Sequence, residues 1–254
     1  MEKSLKMNLF NKKDVQGFVF LQTMNIKRIA AGICSTCLII GGIACKQKDK
    51  KGAAANGASN TFFYDYKVVA EEGNDNLVVM AQIKKGGEEA DGEILPQGAS
   101  LHLDGQPMEI DSAKIGGIYY EKYMNIDSFA GSHQMVLQQA DGKSNKAPFN
   151  FLPFALLTNL DKTISRKAFR LQFAGLDALS DLRIVLTDTS FESEGVNELW
   201  QAKDSILTIG PAMLANLKNG PVQLTLTREQ EQPLKGGGRL LMLYTIRKEF
   251  VLVD

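Results

Sequence analysis

Cysteine, histidine and tryptophan are scarce in this chain of 254 residues, which contains three, two and one of them respectively. All three cysteines, Cys34, Cys37 and Cys45, lie within the first 45 residues. The C-x-x-C spacing of Cys34 and Cys37 falls inside an apolar run rather than after a strand, which argues against a redox or zinc motif. Residues 46–254 therefore have no disulfide and no thiol nucleophile, and their stability has to come from hydrophobic cores alone.

The two histidines give little support to catalysis. His102 lies on the outward phase of a predicted strand, and His133 follows Gly131-Ser132 at the entrance to a strand, in what the pattern predicts to be a loop. Neither has a second His or Cys at ligand spacing, so we expect no metal site. A Ser-His-Asp arrangement stays open, because its members need not be close in sequence, but no G-x-S-x-G motif occurs. No Walker or dinucleotide motif occurs either, so we expect no cofactor.

Charge is balanced over the whole chain, with 29 basic and 29 acidic side chains, but it is unevenly distributed. Residues 1–45 hold six Lys or Arg and two Asp or Glu, which leaves 23 basic and 27 acidic side chains in residues 46–254. Nucleic-acid binding requires a basic face that displaces counterions. The mildly acidic remainder therefore argues against a nucleic-acid partner.

The N-terminal region has the composition of an export signal. The basic stretch 25–28 is followed by the apolar and small-residue run Ile29–Ile43, then by Ala44-Cys45 and a polar, lysine-rich stretch. A basic segment, an apolar segment and small residues before a cleavage point define a secretory signal. The apolar run is shorter than the roughly 20 residues that span a bilayer as a helix. We therefore predict a signal peptide at residues 24–44.

The end of this segment, Gly42-Ile43-Ala44-Cys45, resembles the lipobox of bacterial lipoproteins. The resemblance covers residues 24–45 and includes Ala44 at −1 and Cys45 at +1, whereas Gly42 stands at −3 where leucine is usual. It implies cleavage before Cys45, lipidation of Cys45 and anchoring of an exported protein in a cell-envelope membrane. The leaflet, and the choice between inner and outer membrane, stay open. An ordinary signal peptide or an uncleaved anchor, with Cys45 incidental, is the alternative.

Two segments flank this signal. Residues 1–23 do not fit a signal peptide, and we interpret them as an extension from a start codon placed too early, with Met24 as the true initiator. Residues 45–60 combine the predicted lipidated cysteine with a stretch rich in Lys, Gly, Ala, Asn and Ser, which is typical of a flexible tether.

From Thr61 onward the sequence predicts an all-β body. Apolar residues alternate with polar ones over short runs, and turn signals such as Asp104-Gly105 separate them. Long amphipathic helices are absent from the pattern, and only Gly210-Pro211 predicts a short helix, over residues 212–218. A division near Pro153 gives two tandem Ig-like β-sandwich domains, residues 61–153 and 154–254, each close to the roughly 100 residues of an Ig domain. A single larger sandwich is the alternative.

Aromatic side chains are the features most compatible with ligand binding. Tyr119 and Tyr123 share one face of a predicted strand, opposite Tyr120, and Trp200 lies in a mixed segment. Exposed aromatic rings stack on sugars or anchor protein partners, although the same residues could instead fill a sandwich core. We predict a lipid-anchored, non-catalytic adaptor or binding module for an envelope protein or glycan. The alternatives are a carbohydrate-binding lipoprotein that uses Tyr119, Tyr123 or Trp200, and a hydrolase with an unrecognised site.

Overall fold

The computed structural model describes residues 62–178, 180–190 and 193–254. The predicted signal peptide, Cys45 and the tether lie outside these residues. Within them the chain forms sixteen strands, one four-residue α-helix and a 3₁₀ turn at Ile126–Ser128, so the all-β prediction is confirmed. No helix in this part of the chain has the length and apolar character needed to cross a membrane.

The strands are distributed evenly over the described chain. The first half contains β1 (Phe62–Glu71), β2 (Asn76–Lys85), β3 (Ser100–Leu103), β4 (Gln106–Pro107), β5 (Glu109–Ala113), β6 (Gly117–Asn125), β7 (Gly131–Gln138) and β8 (Ser144–Phe151). The second half contains β9 (Ala155–Leu156), β10 (Thr163–Ser165), β11 (Phe169–Ala174), β12 (Asp181–Asp188), β13 (Val196–Gln201), β14 (Ile206–Ile209), the helix α1 (Pro211–Leu214), β15 (Gly220–Pro233) and β16 (Gly238–Val253).

A nine-stranded sheet runs through the whole described body. Its order is β13-β12-β15-β16-β1-β2-β6-β5, and β10 pairs with the end of β16. Strands β1 and β16, the first and last of the body, pair in parallel, whereas β15 and β16 pair antiparallel over their whole length. A four-stranded sheet, β4-β3-β7-β8, and a three-stranded sheet, β14-β11-β9, complete the fold.

The two smaller sheets pack on one face of the large sheet, and each encloses its own hydrophobic core. The first core joins side chains such as Val79 and Met242 of the large sheet to Met135 of the four-stranded sheet. The second joins Leu224 and Ile246 of the large sheet to residues such as Leu171 of the three-stranded sheet. Two-layer packing of this kind is the sandwich arrangement of Ig-like domains, as predicted from the alternating sequence pattern.

Strand β16 connects the two cores. Leu240 and Met242 of β16 belong to the first core, and Ile246, four residues further along, belongs to the second. Tyr244, between them, packs against both. Pro153 lies between Phe151, in the first core, and Phe154, in the second. The cores therefore divide near Pro153, while the large sheet continues without interruption.

Local signals set several boundaries. Asp104 and Gly105 both adopt positive φ, 49° and 76°, in the turn between β3 and β4, which is the geometry of a type I′ hairpin. Helix α1 starts at Pro211 after Gly210, as predicted, but it ends at Leu214. At the start of β16, a Cβ on Gly238 would lie 2.0 Å from the Tyr64 carbonyl oxygen. Only glycine therefore allows β1 and β16 to approach here.

Candidate functional site

Strand β6 places its tyrosines on two faces of the large sheet. Tyr120 lies in the first core, and its hydroxyl accepts a hydrogen bond from the backbone N–H of Leu95 at 2.8 Å. Tyr119 is 3% exposed and Tyr123 is 42% exposed. Strand alternation puts these two on the face turned away from the smaller sheets, which we call the outer face. Tyr123 therefore presents more ring surface to solvent than Tyr119 does.

Trp200 lies at the other end of the large sheet. It belongs to β13 opposite the core residue Leu182, and its ring centroid is 6.1 Å from that of Phe173. The indole is half-buried and packs against the second core. Since β13 and β6 stand near opposite ends of the sheet, the structure does not bring Trp200 together with Tyr119 and Tyr123.

A buried carboxylate organises the outer face over the first core. Asp65 of β1 lies 3.3 Å from Lys84 Nζ, 3.5 Å from Arg239 Nε and 3.8 Å from Lys67 Nζ, and its side chain is 3% exposed. Burial lowers the pKa of Lys67, and the neighbouring Asp65 carboxylate opposes that shift. Three cations thus surround one desolvated anion, and Arg239 also contacts Glu88 at 3.1 Å.

A second set of polar contacts covers the outer face over the second core. Arg183 makes a bidentate pair with Glu229 at 2.5 and 2.9 Å, and this hydrogen bonding raises the pKa of the Arg183 guanidinium. Beside this pair, Thr227 and Thr245 share a buried hydrogen bond of 3.0 Å between their hydroxyls. Much of the outer face therefore consists of paired charges and satisfied hydroxyls.

The junction between the cores contains a buried arginine. Arg228 of β15 projects on the core side, where its guanidinium donates to the carbonyls of Leu152 at 2.8 Å and Gly175 at 3.3 Å. It also contacts the Asp177 carboxylate at 3.4 Å. Burial lowers the pKa of Arg228, and Asp177 opposes the shift. The contacts of Arg228 tie the segment around Pro153 to the large sheet.

Both histidines make local contacts. The loop prediction for His133 is wrong, because this residue lies within β7 opposite Phe149. His133 Nδ1 is 2.7 Å from the Asp104 carboxylate, and Nε2 is 2.6 Å from the carbonyl oxygen of Phe129, whose ring stacks on the imidazole. Both nitrogens of His133 are thus engaged, and neither contacts a serine hydroxyl among the described residues.

The second histidine, His102, contacts the hydroxyl of Ser100 at 2.9 Å. Within the described chain, no carboxylate contacts this imidazole to orient it as the third member of a triad would. The described residues also contain no group of three or more His, Cys, Asp or Glu side chains placed to hold a metal ion.

Two charged residues at key positions escaped prediction. Arg228 continues the apolar phase of Leu224 and Leu226 along β15, and Asp65 interrupts the aromatic run at the start of β1. A charged side chain at a buried phase of a strand is unusual, and this signal was available in the sequence. The partners of each residue come from distant segments, which the sequence pattern does not identify.

Comparisons with known proteins identify no family. No protein-family model and no curated protein matches the sequence. Similar solved structures include the IG1+IG2 region of DIP-gamma, at 8% identity and a TM-score of 0.22, which covers 73% of this chain and 97% of that one. The adhesin InvE of Yersinia pseudotuberculosis matches at 13% identity and a TM-score of 0.23, over 75% of this chain and 61% of that one.

A third structure is SGBP-B of the Bacteroides ovatus mixed-linkage glucan utilization locus, solved in complex with a mixed-linkage heptasaccharide. It matches at 12% identity and a TM-score of 0.17, over 76% of this chain and 60% of that one. At identities and TM-scores this low, the likeness carries no inference about function.

Proposed function

We propose that this protein is a lipid-anchored, non-catalytic binding module of the bacterial cell envelope. The observation that carries the proposal is the continuity of the large sheet, in which β16 contributes side chains to both cores. Two sandwiches joined through this shared strand form one stiff body that holds its loops and sheet edges in fixed positions. Binding surfaces are commonly loops and edges held on such a scaffold.

The position of β1 supports attachment through the N-terminal side. Strand β1 is the first described element after the predicted tether, and it is hydrogen-bonded to β2 on one side and to β16 on the other. A load applied through the tether would therefore reach an interior strand held along both edges. A strand at the end of the sheet, held along one edge, would detach more readily.

Metabolic labelling tests the anchor. Cells that express the full chain are grown with an alkynyl palmitate analogue, and incorporation and membrane fractionation are compared for wild type, Cys45→Ala and Cys34→Ala. We expect label and membrane retention in wild type and in Cys34→Ala. Both should be lost in Cys45→Ala, because this substitution removes the sulfur that would carry the acyl chains, and stable attachment needs more than one chain. Label that is absent from wild type, or that persists in Cys45→Ala, would contradict the anchor.

Photo-crosslinking in intact cells tests the binding role separately. A photoreactive amino acid is placed at Ile206 or Leu157, exposed apolar positions of the three-stranded side of the body, and at solvent-exposed Lys143 as a control. We expect discrete envelope adducts at one or both apolar positions and none at Lys143. Catalytic turnover of an envelope substrate by the purified chain would overturn the non-catalytic assignment.

The exposed ring of Tyr123 supports the carbohydrate alternative. Tyr123 is 42% exposed on the outer face, and an exposed tyrosine can stack on a sugar ring. A glycan array probed with wild type and with Tyr123→Ala decides this point, with Tyr120→Phe as the control because Tyr120 belongs to the first core. Binding that Tyr123→Ala abolishes would favour a carbohydrate ligand, and an array without signal for wild type would contradict the carbohydrate alternative.

A further inference from the structure

Strand β13 is the last strand at one end of the large sheet. Among the described residues it pairs only with β12, and the N–H of Ala202, just beyond it, donates to the Ser180 carbonyl at 2.9 Å on the β12 side. Successive residues of an antiparallel strand direct their backbone groups to opposite sides. Asn197, Leu199 and Gln201 therefore direct their N–H and C=O groups away from β12. No backbone hydrogen bond among the described residues engages these groups.

The other sheet edges carry features that discourage further pairing. In β5, the Asp111 carboxylate accepts the backbone N–H of Ser112 at 2.7 Å. Strand β8 contains Pro148, whose carbonyl accepts a hydrogen bond from Gln232. Strands β4 and β9 have two residues each, and β14 stops at Gly210-Pro211. Short edges, proline and inward-turned polar groups are the usual protection against strand addition.

By contrast, β13 has none of these features. It is six residues long, Val196–Gln201, contains no proline or lysine, and has Glu198 as its one charged residue. The side chain of Leu199 is 55% exposed on the outer face. An edge strand that is regular, nearly uncharged and partly apolar is a template for another strand.

We propose that β13 binds a second copy of this chain, which adds its own β13 antiparallel about a twofold axis at Leu199. The two Leu199 residues then form a hydrogen-bonded pair, and their exposed side chains cover each other. Asn197 of each copy faces Gln201 of the other, so polar side chains meet polar side chains. A contact that uses the same surface on both copies closes as a dimer and does not propagate.

Charge selects this register over its neighbour. An axis at residue 198 would place Glu198 opposite Glu198 of the second copy, and like charges directly opposite each other destabilise a strand pair. With Leu199 on the axis, Glu198 lies across from Trp200 of the second copy. The distribution of the single charge in β13 therefore fits self-pairing centred on Leu199. This inference does not depend on the lipid anchor.

Cysteine cross-linking tests the register. The full chain, with Cys34, Cys37 and Cys45 changed to Ser and held in mild detergent, receives either Leu199→Cys or Asn197→Cys. Paired Cα atoms at Leu199 would lie about 5.5 Å apart, within the range of a disulfide. The two copies of residue 197 would lie about 14 Å apart along the strands and could not be bridged. We expect disulfide-linked dimer from Leu199→Cys and little from Asn197→Cys, and equal yields or no dimer from either would overturn the proposal.

Sedimentation of the full chain with its native cysteines, in the same detergent, tests the affinity. Leu199→Lys places like charges opposite each other and should raise the dimer Kd about tenfold or more. Ile115→Lys is the matched control, because Ile115 is 71% exposed and lies outside β13; its Kd should equal that of wild type. A wild type that stays monomeric throughout the accessible concentration range, or two variants with equal Kd, would refute a second copy as the occupant of this edge. Circular dichroism verifies that both variants are folded.

Discussion

Replacing Arg228 by methionine removes the charged side chain that connects the two cores while it keeps most of the side-chain volume. The guanidinium is almost fully buried, donates to the Leu152 carbonyl at 2.8 Å and reaches the Gly175 carbonyl at 3.3 Å. Methionine cannot donate, so both carbonyls lose a charged partner. These carbonyls lie on either side of the junction near Pro153, and the substitution should weaken the connection between the cores.

The magnitude follows from opposing contributions. A hydrogen bond to a charged group contributes about 1.5–3 kcal/mol, and the longer contact to Gly175 belongs at the low end of that range. Against this, methionine removes the cost of burying a cation whose Nε has no hydrogen-bond partner in the described part of the chain. We expect the free energy of unfolding to fall by about 2–4 kcal/mol, because two carbonyls lose a charged donor and the removed cost of burying the cation offsets only part of that loss.

Chemical denaturation of the full chain provides the assay, because its single tryptophan reports on one core. Fluorescence of Trp200 follows the second core, while far-UV circular dichroism follows both. Coincident transitions in wild type would show that the cores unfold together. In Arg228→Met we expect both midpoints to fall. The control, Asp177→Asn, changes a side chain that is 60% exposed, and its effect should stay below about 1 kcal/mol. A change below about 0.5 kcal/mol in Arg228→Met would refute the role assigned to Arg228.

Three further predictions concern the large sheet. Asp65→Asn leaves three partly buried cations around a neutral side chain and should lower the free energy of unfolding by about 2–4 kcal/mol, whereas Lys143→Met, which breaks an exposed pair, should have almost no effect when both variants are compared with wild type by thermal unfolding. Gly238→Ala should cost about 3 kcal/mol or more, because its Cβ meets a backbone oxygen at φ 103°, while Gly210→Ala, with open space around it, should cost much less. Burial raises the pKa of Tyr66 above its ordinary value of 10.0, so the unfolded chain releases this proton first and stability should fall as pH rises above 10. In a plot of the free energy of unfolding against pH above 10, Tyr66→Phe should make the downward slope shallower by about 1.4 kcal/mol per pH unit. Equal slopes for wild type and variant in chemical denaturation at a series of pH values would contradict the raised pKa of Tyr66.

Local patterns were enough to predict much of the fold. The alternation of apolar residues identified the β-rich body, and Asp104-Gly105 marked a hairpin turn. These features depend on neighbours within a few residues, so they appear directly in the sequence. His133 was misplaced because the glycine and serine before it resemble a loop, yet they begin β7.

Long-range pairing could not be predicted in the same way. Nothing local in β1 or β16 specifies that the two strands pair in parallel, and the close approach at Gly238 becomes visible only once they are side by side. The candidate aromatic residues show the same limit. Alternation put Tyr119 and Tyr123 on one face, but their different exposure depends on neighbours from other strands.

The parallel pairing of β1 with β16 also determines when the body can fold. Contacts such as the one between Asp65 and Arg239 join residues 174 positions apart, and strand pairing over such separations forms slowly. While the chain is being synthesised, β1 lacks its β16 neighbour until residues 238–253 emerge. The central sheet therefore stays incomplete until β16 has been synthesised, so the strands between β1 and β16 have to wait for this pairing before the body is finished.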